Sequence, residues 1–188
     1  MTSKLKALVA STLMISGWVL AADSFYEHLA EDELYNKIES YDVATNGGKV
    51  RDMAEVFVAR FPQDARINAM KIKLLSAYIA SSKYPMAEEY AERLLSSPVF
   101  DKRYVEDVEY QKIMLLIEKS KHWVASYVTV SDRFRNVHDL EGAINKIQVF
   151  TDKYPTSKYN EELISYFHEI RHFEAEHHIG VALHYAQK

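Results

Sequence analysis

Apolar positions along this chain recur at steps of three and four residues. Ile67, Met70, Leu74 and Tyr78 form one such stripe, and Leu140, Ala143, Ile144, Ile147 and Phe150 form a second with a polar opposite face. Leu163, Phe167, Ile170 and Phe173 form a third. The pattern predicts helices near 31–44, 49–60, 64–81, 84–96, 104–120, 139–153, 157–175 and 177–187. Asp139 stands before its stripe as a candidate N-cap. Asn46-Gly47-Gly48 is the strongest turn signal and separates the first two helices. Ala87, Ala91 and Ala143 are small residues inside helices, where they let neighbours approach closely. The segment 121–138 is the weakest: Trp123-Val124 and Val128-Thr129-Val130 lean toward strand, but no partner strand is evident. It is expected to be a helical or irregular insertion.

Proline gives the array its punctuation. Phe61-Pro62, Ser97-Pro98 and Tyr154-Pro155 place stops 36 and 57 residues apart. Proline lacks an N–H and restricts the residue before it, so each pair closes a helix. The first spacing is close to the period of about 34 residues of tetratricopeptide repeats, and the second fits one period plus an insertion of roughly 21 residues. The expected fold is all-α: a tetratricopeptide-like stack of antiparallel helical hairpins in a right-handed superhelical array over 23–188. Only 5 Gly and 4 Pro occur, too few for the many turns of a sandwich or barrel.

The first 22 residues have a different pattern. Lys4 and Lys6 precede a nearly uncharged stretch from Ala7 to Ala22, which ends in small residues. This is the plan of a signal peptide, so export is expected, with cleavage after Ala21 or Ala22. The stretch is short for a bilayer span. Composition then removes several function classes. With 48% apolar and 27% charged residues the rest is globular. A formal charge of −4 disfavours nucleic-acid binding. Cysteine is absent, so disulfides, thiolate zinc sites, Cys nucleophiles and lipidation at Cys are excluded.

His168-Glu169-Ile170-Arg171-His172 matches the zinc-protease pattern H-E-x-x-H, with His178 at the place of a third ligand. In the extended pattern a Gly breaks the helix so that the third His turns back to the metal. Here that position holds Ala175, a strong helix former. On a continuous helix His178 lies roughly 240° around and about 9 Å along from His172. A zinc hydrolase using His168, Glu169 and His172 is therefore the remote alternative, and solvated imidazoles are the expectation. No phosphate loop or Gly-x-Ser-x-Gly elbow occurs. The carboxylate pairs Glu88-Glu89, Glu161-Glu162 and Asp107/Glu109 read as solvated, and the 13 Tyr residues mainly as core.

Three stretches resemble the BamD family, the tetratricopeptide-repeat lipoproteins of the outer-membrane β-barrel assembly machinery. They are Phe57 to Pro62 with Ala77-Tyr78, Tyr84-Pro85-Met86-Ala87 and Tyr90-Ala91; His138 to Ala143 through Phe150 to Lys153-Tyr154-Pro155-Thr156-Ser157-Lys158-Tyr159; and Ile170-Arg171, Ala175-Glu176-His177, Val181-Ala182 and Tyr185. The resemblance covers roughly 31–188. It implies a non-enzymatic periplasmic scaffold, without cofactors, at the inner face of the outer membrane. The partners it implies are a BamA-like barrel subunit, smaller assembly lipoproteins and unfolded outer-membrane precursors. Asp23 stands where the family carries its lipid-bearing Cys, so membrane association is expected through a partner or a retained signal. The chain stops at Lys188 inside what resembles the fourth repeat, and Lys188 matches a basic partner-binding position. A generic periplasmic repeat adaptor for another envelope complex is the alternative.

Overall fold

A computed structural model describes residues 26–126 and 137–186, and its regular structure is helical throughout. The elements are α1 (Glu31–Glu39), α2 (Val43–Arg60), α3 (Ile67–Ala80), α4 (Tyr84–Ser96), a 3-10 turn (Lys102–Tyr104), α5 (Val105–Ser126), α6 (Val137–Lys153) and α7 (Asn160–Ala186). Each helix packs on the next, and α2 against α3 is the most extensive contact. Short connections between successive packed helices produce hairpins. The three proline stops close α2, α4 and α6, the second helices of these hairpins. The remaining proline, Pro85, opens α4, where a missing N–H costs nothing.

Helix α5 joins two cores. Val108 and Leu115 enter the cluster built from α1 to α4, with Phe57, Met70 and Leu75 at its centre. Tyr110, Ile113 and Ile117 enter the second cluster, with Ala143, Ile144, Ile147 and Phe150 of α6 and Leu163 and Ile170 of α7. At about 100° per residue the two sets lie on opposite faces of α5. One helix is thus apolar on both sides, as an internal member of a stack must be. The predicted small residues Ala87, Ala91 and Ala143 are fully buried.

The structure corrects the sequence reading at several element boundaries. Asn46-Gly47-Gly48 does divide the chain as expected, but as a kink and not a loop: Asn46 departs from helical geometry (φ −123°, ψ 25°), and two helical segments meet there within Val43–Arg60. A further break falls earlier, inside the predicted helix 31–44, because the Asp42 carboxylate accepts from the N–H groups of Ala44 (3.4 Å) and Thr45 (3.2 Å) and starts α2 there. α6 begins at Val137, so Asp139 sits within the first turn and not at the cap. The last two predicted helices are one, since nothing near Ala175 interrupts α7. α5 continues to Ser126, making the first part of the 121–138 segment helical. Residues 127–136 lie outside the described residues.

Candidate partner-binding groove

Helices α4 and α6 both pack on α5, and a groove of about 350 Å³ lies among the three. Ile113 of α5 and Phe150 of α6, both buried, form its floor with half-buried Leu95 of α4. Along α6, Lys146, Val149 and Lys153 recur at three and four residues and form one wall. Val149 is 66% exposed, an apolar residue on the face expected to be polar. A hydrophobic side chain facing water is informative where it continues a buried apolar floor, as here.

Charge surrounds this floor. Lys112 Nζ lies 2.6 Å from Glu92 Oε1, and Lys153 Nζ lies 2.7 Å from Glu109 Oε1. The hydrogen bond and charge of Lys112 hold the Glu92 carboxyl below its ordinary range, with Lys146 adding to the effect. Hydrogen bonds to Glu109 and Tyr154 push the Lys153 ammonium upward. Lys146, exposed on the same rim, makes no ion pair among the described residues. The arrangement can seat an apolar side chain and present cations beside it.

Carboxylates of α5 and α7 hold this region in register; Asp107 and Glu109 are half-buried and bonded, which corrects the expectation that they are simply solvated, while Glu161 and Glu162 are exposed as expected. Tyr110 Oη donates to Glu162 Oε2 at 2.8 Å, and Tyr159 Oη donates to Asp107. The Tyr110 and Tyr159 rings stack, with centroids 3.8 Å apart and planes 8° from parallel. Lys158 adds an ion pair to Asp107 at 3.1 Å. Burial, followed by the adjacent Asp107 carboxylate, pushes the Tyr159 phenol up to about 12. Burial and Glu162 raise Tyr110 as well. Both phenols therefore stay protonated donors at neutral pH. Glu88 and Glu89 are exposed, as expected.

His168, Glu169 and His172 lie on the exposed side of α7, while Ile170 is buried and Phe167 half-buried on the other. The His168 ring meets the Phe167 ring edge-on, with centroids 5.7 Å apart. Because α7 is continuous, two imidazoles stand one turn apart and His178 is displaced around and along the helix. No group of three or more His, Asp or Glu able to hold a metal occurs among the described residues. Asp23, Lys188 and the signal segment 1–22 lie outside the described residues. No helix among the described residues is long and apolar enough to cross a membrane.

Sequence reasoning missed the groove. The signal it overlooked is Val149 between Lys146 and Lys153, since helical periodicity alone had assigned that whole face to solvent. The family model YfiO, described as an outer membrane lipoprotein, matches residues 27–188 of the chain. No curated protein matches it.

Proposed function

This chain belongs to the YfiO family of outer membrane lipoproteins, and from that premise we propose that it is a non-enzymatic scaffold for assembling and inserting β-barrel proteins into the outer membrane. The observation that carries the reading is the extent of the family match, which runs through all of the described helices. A stack of hairpins suits the task physically. Successive helices present a long surface whose side chains are displayed by a rigid core, and separate stretches can grip separate partners. The groove among α4, α5 and α6 is one such grip.

In this reading the protein works in the periplasm, at the inner face of the outer membrane. It contacts a barrel-forming subunit and companion lipoproteins, and it helps to receive unfolded barrel precursors. Its membrane association runs through those partners, with Asp23 in place of a lipid-bearing Cys. A generic periplasmic adaptor would share the fold, and the family match favours barrel assembly over it. The test is affinity isolation of the full chain from detergent-solubilised envelopes, followed by mass spectrometry. Enrichment of a barrel-forming assembly subunit is expected. Recovery of the chain as a free periplasmic monomer contradicts the reading.

A further inference from the structure

We propose that the groove among α4, α5 and α6 docks an acidic amphipathic segment of a partner protein. One large apolar side chain of the segment seats on Leu95, Ile113 and Phe150, and a neighbouring carboxylate pairs with Lys146. The inference rests on the scaffold reading and names the chemistry of one segment that the scaffold grips.

Size sets the kind of occupant. A groove of about 350 Å³ takes one or two side chains and stands at the small end of ligand sites. The floor is apolar, and exposed Val149 extends it outward, so the occupant needs an apolar residue to cover both. Charge sets its polarity. The chain as a whole is acidic, at −4, yet Lys112, Lys146 and Lys153 converge on this rim. The chain's own Glu92 and Glu109 engage Lys112 and Lys153 and fix them in place. Lys146 feels the Glu92 charge from a distance but makes no ion pair among the described residues, and it stands beside the apolar floor. An incoming carboxylate finds a partner there, whereas an incoming ammonium meets like charge. Lys146 and Lys153 lie two helical turns apart, about 10 Å, so a segment crossing the groove meets cationic charge along its length.

The test uses the full chain and two fluorescein-labelled 12-residue peptides. The peptides are identical at Leu and Phe positions and carry either Glu or Lys at the remaining charged positions. Fluorescence anisotropy should show the Glu peptide binding about fivefold tighter, the scale of one partly exposed ion pair. The preference should shrink in 0.5 M salt. Lys146→Glu should reverse the preference, Lys146→Gln should abolish it, and Val149→Glu should weaken the Glu peptide. Circular dichroism of each variant should match that of the parent, because both positions are exposed.

Equal binding of the two peptides, or a preference unchanged by Lys146→Glu, overturns the proposal. So does sedimentation showing a dimer that Val149→Glu dissociates, since a second copy then fills the groove. If peptide preference is absent while the chain still co-purifies with the barrel-forming subunit, the groove inference falls and the scaffold reading stands. If envelope partners are absent as well, both fall.

Discussion

Gly47 and Ala80 are pressed together where α2 crosses the end of α3. A methyl group at position 47 would lie 2.8 Å from the Ala80 Cβ and 2.9 Å from its carbonyl carbon. Both are well inside normal contact, and one of the atoms met is backbone, which yields little. Gly47→Ala should therefore destabilise the fold by about 1–3 kcal/mol, the cost of overpacking. Gly48, one residue on, has open space at the same position. Gly48→Ala should stabilise by about 0.5–1 kcal/mol through helix propensity. Urea denaturation of the two variants checks the pair, and equal effects would contradict the crossing geometry.

Tyr78 and Tyr90 share a ring contact, with centroids 5.6 Å apart, but differ at the hydroxyl. Tyr78 Oη donates to Glu55 Oε1 at 2.7 Å, whereas buried Tyr90 Oη has no hydrogen-bond partner among the described residues. Burial pushes the Tyr90 phenol up to about 12, and burial with Glu55 raises Tyr78. Tyr78→Phe should cost about 1–2 kcal/mol, because it leaves a half-buried carboxylate without its donor. Tyr90→Phe should be neutral or stabilising by up to about 1 kcal/mol. Thermal melts give the order directly, and a larger loss at Tyr90 than at Tyr78 would reverse it.

Two cores meeting at one helix predict two levels of protection. Ile117 is buried in the α5–α6–α7 cluster, and Val108 is buried in the α1–α4 cluster. Ile117→Ala should cost about 2–5 kcal/mol. Its loss of hydrogen-exchange protection should appear chiefly in α6 and α7, and that of Val108→Ala in α1 to α4. Uniform loss in both variants would mean that the two clusters open as one.

Acid should release the turn between α2 and α3. Arg66 donates to Asp64 through Nε (2.9 Å) and Nη2 (2.6 Å), reaches Asp32 at 2.9 Å, and lies 4.2 Å over the Tyr35 ring. The hydrogen bonds from Arg66 hold the Asp64 carboxyl far below its ordinary value, and the Asp64 carboxylate in turn raises Glu31 beside it. A depressed folded-state pKa contributes stability that is present above the unfolded value, about 3.9, and lost as pH falls below it. The melting temperature should thus drop between pH 5 and pH 2, and Asp64→Asn should flatten that limb while lowering stability at neutral pH. An acid limb unchanged in the variant would assign it to other carboxylates.

Much of the fold was legible because it follows from local chemistry. Proline cannot continue a helix, and Pro62, Pro98 and Pro155 mark the ends of α2, α4 and α6. The stripe Ile67, Met70, Leu74 and Tyr78 is buried as its spacing required. The misses arise where tertiary contact overrides local preference. Asn46-Gly47-Gly48 kinks the chain at Asn46 but opens no loop, and Gly47 is required just after the kink by the proximity of Ala80. The additional break, at Asp42, was encoded by a capping carboxylate in a short polar stretch whose turn signal is weaker. The groove was invisible to periodicity because its three walls come from three helices, and no single stripe contains Leu95, Ile113 and Val149.

The central claim is that this array grips partners of outer-membrane barrel assembly. Photo-crosslinking in living cells tests it most directly, with a photoreactive residue introduced in turn at exposed positions of α4, α6 and α7. The account predicts adducts to a barrel-forming assembly subunit and its companion lipoproteins, with each partner confined to its own stretch of the array. Adducts to an unrelated envelope complex, or none at any position, would contradict it.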